Sequence, residues 1–265
     1  MDTRAIAQAA ERLRTTSLTL LRALADEELE VAATPGWTVA DVFRHLASSD
    51  RDVVLGKHVK DFLPSVSDDE FEARNDRALE RLRSRSRTEL EDELEVWGAR
   101  LRWIIRSSPA RLGDLRIPTI FGTVPLSWFS ALRIYDEWVH QWDVMQALDR
   151  GVPPMDDLLR DLLAEFQLRA LPAKPLKRLP QRPGVVEVDL ADVLPPNWRF
   201  DLWTRSFGAR VTTDATVVVR TDVPTWTLLA ADRIDWRQAE AAGDLAIDGD
   251  DRGAAEVLLE VVRVV

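Results

Sequence analysis

Apolar residues recur at helical intervals through most of the first 150 positions. Over residues 3–32, Ile6, Ala9, Leu13, Leu18, Leu20, Leu21 and Leu24 are interleaved with Arg, Glu and Gln, which predicts an amphipathic helix. Thr34-Pro-Gly-Trp37 interrupts the pattern as a breaker. Thr38 then stands at an N-cap position with Asp41 three residues on, so a capping-box-like start is expected for a second helix carrying Val39, Val42, Phe43, Leu46, Val53 and Val54. Residues 56–68, with Pro64, read as a loop. One long helical region is predicted from about Asp68 to Ser107, its Glu and Arg forming a solvated face and Leu90, Leu94, Trp97, Leu101, Ile104 and Ile105 an inward stripe. Arg111 to Gly122, around Pro118, reads as a connection. The fourth helix is expected to begin near Pro125, which suits a first turn, and to end near Leu148 before Gly151. Four long helices with moderate connections predict a four-helix bundle.

The pattern then changes period. Residues 153–171 predict one more helix, and 172–184, with Pro172, Pro175, Pro180 and Pro183, read as a linker. Short β-type runs follow at Val185–Leu190, Trp198–Trp203, Ala209–Thr213 and Thr216–Thr221. Helices are expected at about 223–231 and 235–242, a strand at 244–248 and a closing helix at about 251–262. The fold class is therefore α+β in two domains: a bundle over 1–152, a helix and Pro-rich linker over 153–184, and a small α+β domain over 185–265.

Composition narrows the functions this fold could serve. A formal charge of −10 and a pI near 4.9 argue against nucleic acid, whose binders need a basic face, and against an anionic membrane surface. Met1-Asp-Thr-Arg-Ala opens an amphipathic helix and not a signal peptide, and no apolar run approaches the roughly 20 residues of a membrane span. The expectation is a cytoplasmic protein, monomeric or homodimeric. The chain has no cysteine, which excludes disulfides, thiolate metal ligands and a protein thiol nucleophile. Any sulfur chemistry must use a thiol brought in by a cofactor or substrate. Ten Trp against one Tyr suggest large aromatics filling the core and lining a pocket.

The chemistry concentrates in Ile134-Tyr-Asp-Glu-Trp-Val-His-Gln-Trp-Asp143. Asp136 and His140 are four residues apart and stack on one helix face, half of a metal site. His45, on the second helix, is the candidate for the rest. Two His and one carboxylate suit Zn2+ or another divalent metal with a position left open. The plainer reading is a packed His45, with Asp136 holding His140 in a neutral tautomer or pairing with an Arg. Glu137 is turned about 100° from Asp136 and is the weaker ligand candidate. Asp143 lies on roughly the His140 face and suits an orienting hydrogen bond. His58, beside Lys57 and Lys60, reads as a surface residue.

Trp37-Thr-Val-Ala-Asp-Val-Phe-Arg-His-Leu-Ala47, followed far downstream by Asp136-Glu-Trp-Val-His-Gln-Trp-Asp143, resembles the mycothiol-dependent maleylpyruvate isomerase family of DinB-like metal-binding bundles. Ala215-Thr-Val-Val-Val-Arg-Thr-Asp-Val-Pro-Thr-Trp226, with Ala231-Asp-Arg-Ile-Asp-Trp236, looks like that family's sterol-carrier-like (SCP2-like) second domain. The resemblance implies Zn2+ on His45, Asp136 and His140, mycothiol as the thiol cofactor, and a catalytic Arg from the second domain. Arg233 is the best positional match for that Arg, with Arg220 behind it. The family more often has Glu where this chain has Asp136, one methylene shorter, so the metal would sit closer to the helix or bind less tightly.

By the same resemblance, the metal would keep the cofactor thiol as thiolate. In the isomerase the thiolate would add to the activated double bond of maleylpyruvate, and rotation followed by elimination would give the trans isomer. An Arg on a substrate carboxylate would orient it and steady enolate charge. The function expected is a mycothiol-dependent, zinc-activated thiol transferase or isomerase acting on an electrophilic small molecule. Alternatives are maleylpyruvate cis–trans isomerase proper, a thiol-exchange or S-conjugation enzyme of secondary metabolism, and a non-enzymatic module that binds an apolar ligand.

Overall fold

A computed structural model describes residues 2–57, 68–107, 113–119, 122–170, 180–191, 193, 198–208, 211 and 213–262. The chain divides into two units, Met1–Pro154 and Met155–Val265. In the first, helix α1 (Thr3–Ala23) is followed by the short α2 (Asp26–Leu29), so the apolar periodicity of residues 3–32 covers two helices and not one. Strands β1 (Ala32–Thr34) and β2 (Trp37–Thr38) then form a small antiparallel hairpin. Its turn is Pro35-Gly36, with Gly36 at φ 85°, a left-handed value that glycine adopts without strain.

Helix α3 (Val39–Val54) leaves directly from the hairpin. The single helix expected over 68–107 is instead α4 (Asp68–Glu80) and α5 (Arg87–Ser107). The division has a local cause. Ser86 Oγ accepts from Glu89 N at 3.3 Å while Glu89 Oε2 accepts from Ser86 N at 2.9 Å, a capping box that starts a new helix. The connection expected at 111–122 holds a second hairpin, β3 (Arg116–Thr119) and β4 (Gly122–Pro125). Helix α6 (Leu126–Ala147) closes the unit. Helix α5 packs on α1 and α3, and α6 packs on the same two, so the four long helices form a bundle. Leu21, Val42, Phe43, Leu46, Leu94 and Val144 are part of its buried core.

The second unit begins with α7 (Asp157–Ala170), which packs on α8 (Val223–Ala230). Gln167 Nε2 donates to Thr227 Oγ1 at 2.7 Å between them. Five strands, β5 (Val185–Leu190), β6 (Trp198–Asp201), β7 (Ser206–Gly208), β8 (Val217–Thr221) and β9 (Leu245–Gly249), form one sheet in the order β7-β6-β5-β8-β9. Among the described residues only β5 and β8 pair in parallel. Val185, Val186, Val188 and Leu190 of β5 are buried on both faces, as a central strand requires. Helix α9 (Trp236–Ala242) precedes β9, and α10 (Arg252–Leu259) packs across β5, β8 and β9. The strand β7 lies just before the run expected at Ala209–Thr213, and of that run residues 209, 210 and 212 lie outside the described residues. His58, Pro64, the last residue of the helix expected at 153–171 and residues 172–179 of the expected linker lie outside the described residues. Among the described residues no helix is long and apolar enough to cross a membrane. The two-domain α+β class expected from the hydropathy pattern is the class of this chain.

Candidate metal centre

Two helices supply the candidate ligands. The start of α3 is fixed by its cap: Thr38 Oγ1 accepts from Asp41 N at 3.2 Å, and Asp41 Oδ2 accepts from Thr38 N at 3.2 Å. That start sets the helix phase and places His45 among the buried residues of α3. Helix α6 presents Arg133, Asp136, His140 and Asp143 in one stripe at steps of three, four and three residues.

His45 Nε2 lies 3.4 Å from Asp136 Oδ2, and His140 Nε2 lies 3.6 Å from Asp136 Oδ1. One ligand atom from each of the three residues falls within 4.8 Å of the others. Metal–ligand bonds of about 2.0–2.1 Å at tetrahedral angles put donor atoms roughly 3.3 Å apart, so this group has the size and the donor chemistry of a two-His, one-carboxylate site. Although Asp136 is shorter than a Glu, its carboxylate reaches both imidazoles.

Three neighbours tune these side chains. Asp143 Oδ2 lies 2.9 Å from His140 Nδ1, which assigns the proton to Nδ1 and leaves Nε2 as the lone-pair atom. Burial, working against the attraction of Asp136, holds the His45 imidazole down to about 4, so it is neutral at physiological pH, as a metal ligand must be. Burial alone would raise the Asp136 carboxyl, but the charge of Arg133 and the two imidazoles hold it well below the usual carboxylate range. Trp37, carried by the β1–β2 hairpin, lies over both rings, with centroids 4.9 Å from His45 and 5.8 Å from His140.

Behind the ligands runs a buried ionic network. Arg133 Nη1 donates to Asp136 Oδ2 at 2.6 Å and Arg133 Nε donates to Asp50 Oδ1 at 3.3 Å. Asp50 Oδ2 accepts from Arg14 Nη2 at 2.7 Å, and Arg14 also donates to Glu137 at 3.1 Å. Ser17 Oγ donates to Glu137 Oε1 at 2.8 Å. Glu137 is thus turned away from Asp136 and engaged with α1; burial pushes its carboxyl up against the pull of Arg14. Gly98 gives Arg14 its room, since a Cβ there would stand 3.3 Å from Arg14 Nε.

The sequence singled out neither Trp37 as a wall of the site nor the bracing by Arg14, Asp50 and Arg133. Asp50 and Arg14 did leave a signal, as charged residues at buried phases of their helices. Arg220 and Arg233 belong to the second unit. Arg220 pairs with Asp189 at 3.3 Å and with Asp248, as a surface ion pair would. Arg233 Nη1 donates to the Ala231 carbonyl at 2.9 Å, next to Asp232, which has a left-handed φ of 56°.

A family model described as the mycothiol maleylpyruvate isomerase N-terminal domain matches residues 10–145, a span that contains His45, Asp136 and His140. Among solved structures, a mycothiol-dependent maleylpyruvate isomerase is similar with a TM-score of 0.53 at 16% identity, over 88% of this chain and 90% of that one. A histidine-to-alanine mutant of a mycothiol-dependent maleylpyruvate isomerase is similar with a TM-score of 0.54 at 15% identity, over 94% of this chain and 93% of that one. Sterol Carrier Protein 2 Like 2 from Aedes aegypti matches 38% of this chain and 96% of that one, at 18% identity and a TM-score of 0.32. A comparison with curated proteins gives no match. At these identities the structural likeness is one of fold.

Proposed function

The chain belongs to the mycothiol maleylpyruvate isomerase family, and from that membership we propose that it is a mycothiol-dependent metalloenzyme acting on an electrophilic small molecule. The observation that carries this reading is the convergence of His45, Asp136 and His140, with ligand atoms within 4.8 Å of one another, in a chain that has no cysteine. Zn2+ bound there would lower the pKa of a thiol at its open position, and mycothiol would supply the thiol that the chain itself lacks. The remaining work belongs to the protein. Asp143 keeps the His140 lone pair on Nε2, and burial keeps His45 neutral. Asp136 supplies the one anionic donor, and Trp37 covers a side of both imidazoles against water. Arg233, followed by Arg220, is the group we assign to pair with a carboxylate of the electrophile. With maleylpyruvate the outcome would be cis–trans isomerisation; with another electrophile it would be S-conjugation or thiol exchange. A thiol cofactor of this kind fits a cytoplasmic enzyme.

The test is to incubate the zinc-loaded protein with mycothiol and a panel of electrophiles that includes maleylpyruvate, following adducts by mass and isomers by chromatography. Mycothiol-dependent turnover of at least one member is expected, and His45→Ala should lose that turnover together with its stoichiometric metal. A purified chain that takes up no stoichiometric metal, with behaviour unchanged by His45→Ala, would remove the enzyme reading and leave a module that binds an apolar ligand.

A further inference from the structure

Beside the candidate ligand Asp136, Arg133 is held between two carboxylates. Its Nη1 donates to Asp136 Oδ2 at 2.6 Å, while its Nε and Nη2 lie 3.3 and 3.2 Å from Asp50 Oδ1. Asp50 is in turn held on its other oxygen by Arg14 at 2.7 Å. Arg14 is fixed by Glu137 at 3.1 Å, and Glu137 by Ser17 at 2.8 Å. Gln141 Nε2 completes the brace, donating to Ser17 Oγ at 2.9 Å and to the Leu13 carbonyl at 2.8 Å. The brace therefore runs from α1 through α3 to α6. An exposed i,i+3 ion pair would be free to swing; this one is half-buried, and its guanidinium is tied on the far side to Asp50.

A carboxylate can offer a metal one oxygen or two, and the two oxygens of Asp136 have different surroundings. Each faces one imidazole, Oδ2 that of His45 at 3.4 Å and Oδ1 that of His140 at 3.6 Å, but the charge-assisted hydrogen bond from Arg133 falls on Oδ2. We propose that Arg133 is a positioning residue that holds Asp136 to single-oxygen ligation, which keeps the remaining coordination positions for the thiol and the electrophile. The proposal rests on the metal-centre reading above. Two effects of Arg133 oppose each other here. Its charge disfavours a nearby cation, and its hydrogen bond orients a donor. Asp50, paired to the far side of the guanidinium, offsets the charge and leaves orientation as the larger effect.

Coordination number separates the two effects, because charge alone does not change it. The experiment loads the full chain with Co2+ and reads visible absorption and metal affinity. Wild type should show the intense bands of a four-coordinate site. Arg133→Met should show severalfold weaker bands, as Asp136 turns both oxygens to the metal, with affinity lower by about 10–100-fold. Arg133→Lys, which keeps one donor to Oδ2, should recover most of the band intensity. Circular dichroism melting of the metal-free variants checks that they fold. If Arg133→Met does not fold, Asp50→Asn, which loosens Arg133 without removing it, carries the test, with intermediate intensity expected. Wild-type band intensity in a folded, metal-bound Arg133→Met, or in Asp50→Asn when that variant stands in for it, overturns the proposal. No Co2+ uptake by wild type is a different result: it overturns the metal-centre reading and this proposal with it.

Discussion

His45 shows what burial does to a single side chain. Its folded-state value of about 4 lies below the ordinary 6.5, so between those values the unfolded chain binds a proton that the folded chain refuses. The stability tied to this difference is complete above about pH 6.5, declines as the pH falls, and is lost by about pH 4. Metal-free protein should therefore unfold in urea with a free energy roughly 2 kcal/mol lower at pH 5 than at pH 7. His45→Gln should flatten most of that difference; an unchanged slope in the variant would show that other groups govern it. The ligand candidates were legible because i,i+4 spacing alone stacks Asp136 on His140. The Asp143 support was legible on the same ground, as was an Arg partner for Asp136. The wider brace was not, because Arg14, Asp50 and Arg133 meet only after three helices have packed, and spacing does not say which helices will meet.

At the scale of the element, the β1–β2 hairpin does more than join two helices. Its Pro-Gly turn read as a breaker in the sequence, yet it carries Trp37 onto both imidazoles. Gly36 has φ 85° and nothing within 4 Å of where a Cβ would be, so the strain of Gly36→Ala would be conformational and not steric. That substitution should cost about 1–2 kcal/mol in thermal or urea unfolding. It should also disturb Trp37, read as loss of near-ultraviolet circular dichroism and weaker metal affinity. Retained stability and affinity would mean that the turn tolerates a second geometry. The Thr38–Asp41 cap was legible as a local signal, and so in principle was Ser86-x-x-Glu89, which divides α4 from α5. The unbroken charge pattern over 68–107 concealed that boundary, since i,i+4 pairs reward helix on either side of it.

For the whole molecule, His45, Asp136 and His140 all belong to the Met1–Pro154 unit. Metal linkage should accordingly fall on that unit. In calorimetry, Zn2+ at a hundredfold excess over Kd should stabilise its transition by about 2.7 kcal/mol and leave that of the Met155–Val265 unit in place. A shift of the second transition alone would exclude these ligands. The change of hydropathy period after residue 150 made the two-domain organisation legible, whereas the exact strands of the second domain were less so, because short apolar runs mark a strand better than they mark its ends. Arg133, Asp136, His140 and Asp143 lie within eleven consecutive residues of one helix. Arg133, both candidate donors on this helix and the orienting acceptor are therefore inherited or lost together as one short piece of coding sequence. If His45, Asp136 and His140 hold a metal as proposed, that segment, grafted into an unrelated scaffold beside a helix bearing a histidine and, five residues on, an aspartate, would be a portable cassette for a divalent ion.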